Sequence, residues 1–315
     1  YSNTTGDENT AVGRAALFNN TGNYNTAVGD LALYANTTGG NNTGIGENAL
    51  GGNTTGDTNV AVGNNALDAN TTGSGNTAVG SYALTAATTG IENNAFGKSA
   101  LGANTTGNYN NAFGREALRQ NTTGSKNCAF GHEALESNTT ASNNSAFGHK
   151  ALATNTTGTY NASLGVSSLT SNTTGDHNTA LGSDALGNNT TADNNTAIGS
   201  SALYSNTTGT QNVAVGSGTS NVAIGANALD ALTTGAYSIA IGHSALTAAT
   251  TSMSNVAVGH EALKACTTGQ RNVAIGTNTG NAIVAGSDNV LLGRDAGLAT
   301  SPSGAIVNGN HQVVL

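Results

Sequence analysis

Short apolar runs alternate with polar ones along the whole chain at a nearly fixed interval. The segment N-T-A-V-G at Asn9 to Gly13 returns in closely related form through the sequence. Its glycine falls at Gly13, Gly29, Gly46, Gly63, Gly80, Gly97, Gly114, Gly131, Gly148, Gly165, Gly182, Gly199 and Gly216, then at Gly225, Gly242, Gly259, Gly276 and Gly293. The step is 17 residues, except for 16 at the first and 9 between Gly216 and Gly225, which makes 18 copies. The unit reads N-T-A-V-G-x-x-A-L-x-x-N-T-T-G-x-x. So short a unit cannot bury its own apolar side chains and must stack on its neighbours. Gly, Asn and Thr weaken a helix at nearly every position, whereas β-branched runs between Gly and Asn read as strands joined by tight turns. The pattern predicts an all-β protein, a parallel β-solenoid (β-roll) of about 18 coils, one repeat to a coil, with two or three short strands in each. At ~4.8 Å per strand such a stack would form a rod roughly 85–90 Å long.

Stacking turns each repeat position into a column. The residue before the marker glycine is always large and apolar, as at Val12, Val28, Ile45, Leu164, Ile198 and Leu292, and the leucine four places after it recurs from Leu17 to Leu263. Hydrophobicity places both columns inside, with Phe96, Phe113, Phe130 and Phe147 as an internal aromatic stack. Because successive strand side chains point to opposite faces, the small residues Ala11, Ala27, Gly44 and Ala61, on to Ala274, should then point outward with the marker glycine. A second small column, Ala16, Ala32 and Ala49 onward, would add to a smooth apolar strip. Contiguous apolar surface marks an interface, so lateral self-association as a homotrimer is expected. The competing reading is a thin coil without room for larger side chains. Asn precedes the strand in 17 of 18 copies, with Ser238 the exception, and a second Asn column opens N-T-T-G from Asn3 and Asn36 to Asn206. Stacked asparagines can form amide ladders and satisfy turn backbone groups. N-T-T is also a formal glycosylation acceptor, but its recurrence in nearly every coil favours the ladder.

The pattern divides the chain into a regular shaft over 1–216, a shortened junction at 217–220, a second solenoid section over 221–304, and a cap or the start of a following domain at 305–315. In the second section Leu232, Ala249, Cys266 and Ile283 replace the asparagine of N-T-T-G, which predicts a more apolar interior. The chain opens at Tyr1 in mid-repeat, with no initiator Met and no signal-like segment, and reads as a piece of something longer.

Charged residues are 8% of the chain and aromatics 4%, with 44 Gly, one Pro and no Trp, against about 25% charged in ordinary domains. Disorder is excluded by branched aliphatics at fixed places. The net charge of −8 leaves no basic surface for nucleic acid. No apolar run approaches the roughly 18 residues of a membrane span, so no membrane insertion is expected. Cys128 and Cys266 lie many repeats apart and do not readily pair. His132, His149, His243 and His260 all follow a marker glycine, and His132 and His149 fall one coil apart. That column also holds Arg14, Asp30, Glu47, Lys98, Arg115 and Ser183, which is the behaviour of a variable, solvated corner. No further Cys or carboxylate recurs beside the pair, so no metal site is assigned. H-E-A-L at His132 and His260 lacks the second His of a zinc-protease helix, since Glu136 and Lys264 stand four residues on. No phosphate-binding loop, calcium β-roll repeat or recurring Ser–His–Asp set occurs. Catalytic, cofactor-binding and metal residues are therefore none, and the chain is not expected to be an enzyme.

The N-T-A-V-G strand motif, small residues alternating with Val or Ile before a glycine, resembles the head repeats of YadA-type trimeric autotransporter adhesins. That resemblance implies a left-handed parallel β-roll with three chains packed together. The full unit, N-T-A-V-G-x-x-A-L-x-x-N-T-T-G, is similar to repeats of bacteriophage tail-fibre proteins, including those of cyanophages, which often precede a C-terminal intramolecular chaperone domain. The resemblances imply a structural fibre segment of a virion tail fibre or similar appendage that holds a receptor-binding tip, with a host-cell receptor or glycan as partner. A bacterial surface adhesin or extracellular filament is the alternative. Ice binding by Thr ladders ranks below both, because the Thr of N-T-T should lie at a turn.

Overall fold

The computed structural model describes residues 5–210, 213–215, 221–225, 228–229, 235–298 and 306–315. The contacts group the chain into two compact units, residues 1–166 with 172–174, and residues 167–171 with 175–315. The described residues contain strands and turns and no helix. Both units are parallel β-solenoids.

The first unit holds ten strands: β1 (Thr10–Val12), β2 (Thr26–Val28), β3 (Thr43–Ile45), β4 (Val60–Val62), β5 (Thr77–Val79), β6 (Asn94–Phe96), β7 (Asn111–Phe113), β8 (Cys128–Phe130), β9 (Ser145–Phe147) and β10 (Ala162–Leu164). Each pairs in parallel with the next, like over like, as in Ala112↔Ala129 and Phe113↔Phe130. The second unit holds β11 (Thr179–Leu181), β12 (Thr196–Ile198), β13 (Val213–Val215), β14 (Val222–Ile224), β15 (Ile239–Ile241), β16 (Val256–Val258), β17 (Val273–Ile275), β18 (Val290–Leu292) and β19 (Val313–Val314). Its ladder keeps register across the short step, Val213↔Val222, and across a long one, Val290↔Val313. The expected junction at 217–220 lies outside the described residues, as does Leu232. Residues 306–315 do not fall out of register, because β19 pairs with β18 and buries Val314.

One turn of the coil around β7 shows how the unit closes. The amide of Ala117 donates to Gly114 O at 3.3 Å and that of Asn121 to Leu118 O at 3.1 Å, forming two successive turns. Tyr109 (φ 59°), Glu116 (φ 60°) and Leu118 (φ 52°) sit in the left-handed region. That region is unfavourable for L-residues, and neighbouring coils stabilise it here. Leu118 N donates to Ala134 O at 3.0 Å and Glu116 N to Lys98 O at 3.0 Å, so the strained amides are satisfied vertically. Gly114 has no such latitude: φ is 145°, and a Cβ would overlap the carbonyl oxygen of Gly131 in the next coil.

The two strand faces are the reverse of the expectation from hydrophobicity. The alanine column is the interior: Ala27, Ala61, Ala78, Ala112 and Ala129 are 0% exposed, and so are Ala32, Ala49 and Ala117 of the second small column. The pre-glycine column faces out, with Ile45 40% and Leu164 51% exposed, and the Phe stack lies outside with it. Only the leucine column, Leu33 to Leu263, is buried as expected. The coil is thin: a leucine from the turn fills the space opposite the strand, leaving room for a methyl group there and no more. The smooth small-residue strip therefore does not exist on the surface.

Asparagine sets which face turns inward. Asn110, two places before Ala112, shares its face by strand alternation and is buried with it. Its backbone amide donates to Asn93 Oδ1 at 3.0 Å, and its side-chain amide to Gly124 O at 2.8 Å. The second column does the complementary work. Asn121 Nδ2 donates to Asn104 Oδ1 at 2.8 Å and to Gly124 O at 2.9 Å. Both columns thus converge on one turn carbonyl per coil, and buried amides with this many partners stabilise the fold. Where the column lapses the consequence is visible: Ala87 stands in place of an asparagine, and Asn70 Oδ1 of the preceding coil is buried with no hydrogen-bond partner.

Near the C-terminal side of the second unit the same volume is filled by an exchange. Gly280 and Gly297 occupy leucine positions, and Leu291 takes the place of the strand alanine. A Cβ on Gly280 would lie 2.9 Å from a Leu263 methyl, and one on Gly297 would overlap a Leu291 methyl. Ala249, Cys266 and Ile283 are fully buried in the former asparagine column, so this interior is more apolar, as the sequence predicts.

Candidate functional site

The faces that remain open for chemistry are the outward strand face and the corner after the marker glycine. Each strand presents two outward columns, its first and third residues. None of the nineteen strands contains a charged residue, and the third position of β1 to β18 is Val, Ile, Leu or Phe without exception. In the first unit Phe96, Phe113, Phe130 and Phe147 stack with ring centroids 4.7, 4.6 and 4.9 Å apart and planes within 8° of parallel. Beside those bulky rings the first column shrinks to Asn94, Asn111, Cys128 and Ser145. In the second unit, from β13 to β18, both outward columns are aliphatic, as in Ile239 with Ile241 and Val273 with Ile275. Apolar surface that recurs on every rung with no charge to interrupt it is rare on a solitary soluble domain and is a hazard on a sheet left bare.

The corners carry the charge. Arg14–Asp30, Arg119–Glu136 and Arg271–Asp288 pair between adjacent coils at 2.7, 2.6 and 2.6 Å. Such exposed pairs contribute little individually. The corner histidines stack in two pairs, His132 on His149 at 5.4 Å and His243 on His260 at 5.2 Å. Beside the first pair the fold brings up two carboxylates that linear spacing did not suggest. Glu133 follows His132, and Glu116 comes from the coil before. The ligand atoms of Glu116, His132 and Glu133 lie within 4.8 Å of one another. The Arg115 guanidinium, 2.9 Å from Glu116, holds that carboxyl below its usual range. Near the second pair, Lys264 holds Glu261 down in the same way, beside a shallow hollow lined by Thr247, Ala248, Lys264, Ala265 and Asn281.

Remaining polar motifs are consumed by the scaffold. The N-T-T asparagines from Asn36 to Asn206 are buried in the amide ladder, so the acceptor nitrogen of the sequon is inaccessible in the folded chain. The first threonine of the motif also bonds vertically: Thr54 Oγ1 donates to Thr71 O at 2.9 Å and Thr71 Oγ1 to Thr88 O at 3.0 Å. Cys266 lies in the interior and donates to Gly269 O at 3.6 Å, and burial pushes its thiol up to about 11. Cys128 is half-buried in an outward column, 3.8 Å from Asn111 Nδ2. No helix among the described residues is long and apolar enough to cross a membrane. Compared with known protein families and with curated proteins, the chain matches none.

Proposed function

We propose that the chain is a structural segment of an extracellular or virion fibre, of the tail-fibre kind, whose copies associate side by side as a homotrimer and hold a host-binding element away from its base. In this role it performs no catalysis. The observation that carries the reading is the outward strand face: an uncharged apolar column on every rung. A partner surface must match a row spacing of about 4.8 Å along the face, and a second copy has that spacing by construction. Burying these side chains at about 25 cal/mol per Å² supplies the association energy. Variable corners, which carry the histidines and ion pairs, stay at the solvent side of such an assembly and are free to meet a receptor or glycan.

Sedimentation equilibrium is the direct test, with three times the chain mass expected. Phe113→Glu with Phe130→Glu should give a folded monomer, because both side chains lie outside the core. Cys128 reports the same event: its thiol should resist modification in the assembly and react once the double variant dissociates. A wild-type chain that sediments as a monomer overturns the proposal.

A further inference from the structure

We propose that the corner formed by Glu116, His132 and Glu133, with His149 stacked beside it, binds a divalent transition-metal ion of the Zn2+ type and clamps two successive coils. Among the described residues, these three side chains converge with all ligand atoms within 4.8 Å of one another. His132 Nε2 stands 3.4 Å from Glu133 Oε1, and the His149 ring is stacked 5.4 Å away on the following coil. An imidazole nitrogen with carboxylate oxygens is a donor set that suits Zn2+, Co2+ or Ni2+ and gives Mg2+ and Ca2+ little advantage.

The backbone holds the ligands in place before any ion arrives. Glu116 and Glu133 occupy the same left-handed position one coil apart, at φ 60° and 58°. Glu133 N donates to Arg115 O at 3.0 Å, and Lys150 N donates to His132 O at 3.0 Å, so each ligand-bearing turn is tied to the next. The two carboxylate side chains are only 20% and 19% exposed, against 36% for His132, which limits competition from water. Arg115 pairs with Glu116 and Lys150 with Glu133, at 2.9 and 3.4 Å. Both cations end flexible side chains reaching into solvent. An incoming ion therefore has only weak exposed pairs to displace. The second histidine pair is an internal control. His260 has Glu261 beside it, but that carboxylate is engaged by Lys264 at 2.7 Å and Asn281 at 3.4 Å, and among the described residues no carboxylate from the preceding coil completes a triad there.

The test is calorimetric titration of the chelator-treated full chain with zinc chloride. One ion per chain should bind at this corner and raise the midpoint of thermal unfolding. His132→Ala should abolish that binding, Glu133→Gln should weaken it at least tenfold, and His260→Ala should leave it unchanged. All three positions lie outside the core, so their circular dichroism spectra should match the wild type. Glu116→Gln, with the same expected weakening, replaces His132→Ala should that variant misfold. No heat of binding in the wild type, or equal affinity after His132→Ala or Glu116→Gln, overturns the proposal. The outcome is independent of whether the chain is monomeric or trimeric.

Discussion

The two units build the same ladder from different interiors. In the first, the column beside the N-T-T-G turn is asparagine from Asn36 to Asn155, broken only at Ala87, and each amide bonds the next. In the second, the described column passes from Asn189 and Asn206 to Ala249, Cys266 and Ile283, and the vertical contact becomes apolar packing. The outward faces shift as well, from a polar or small residue beside an apolar one in most strands up to β12 (β4 is Val with Val) to paired aliphatics from β13 to β18. Register survives the exchange because the fold asks each position to match the one above and below it, whatever the chemistry of the match. Polar matching carries a condition that apolar matching lacks: an amide ladder is only as good as its continuity, as the orphaned oxygen of Asn70 under Ala87 shows.

This contrast can be attacked first where the units should agree. Ala129→Glu in the first and Ala257→Glu in the second each put a carboxylate into a fully buried methyl site. Both should destabilise their unit by about 4 kcal/mol or more, seen as loss of its thermal transition in circular dichroism. Retention of both transitions would reverse the assignment of faces. The units should differ at the asparagine column. Asn121→Ala removes bonds to Asn104, Gly124 and Asn138 and leaves buried amide groups unmet, at about 3 kcal/mol. Cys266→Ala, at the equivalent position, should cost about 1 kcal/mol. Equal losses in chemical denaturation would dissolve the distinction between polar and apolar ladders.

A smaller effect separates the units by pH. Burial raises the Cys266 thiol from 9.0 to about 11, so the folded chain holds this proton where the unfolded chain releases it. Stability is complete below pH 9 and falls as pH rises from 9 through 11, by roughly 2–3 kcal/mol at the upper end. Melting curves of wild type and Cys266→Ala should converge and then cross over that range. Parallel curves would show that the thiol ionises as freely in the fold as outside it.

Much of this architecture was legible in the repeat. Equal spacing of the marker glycine implied stacked parallel strands, the leucine column identified part of the interior, and two asparagine columns implied amide ladders. Hydrophobicity alone gives the wrong strand orientation, because the thin interior admits Ala and leaves Val and Phe outside. The better signal was also in the sequence: Asn110 and Ala112 lie two apart, hence on one face, and an asparagine kept in 17 of 18 copies behaves as a bonded interior group. Reading the face from asparagine would have turned Ala inward and Val and Phe outward. The cluster of Glu116, His132 and Glu133 was hidden for another reason. Its members are 16 and 17 residues apart in two columns, and only stacking at a corner makes neighbours of them.

The pairing between β18 and β19 has a wider meaning. Twenty-three residues separate Val290 from Val313, and nine separate Val213 from Val222, yet both pairs meet squarely in the sheet. The scaffold counts strands and ignores how much chain is spent between them. Insertions at the corners therefore leave the spine undisturbed, and such a molecule can be altered freely in what it displays while remaining unchanged in what it measures.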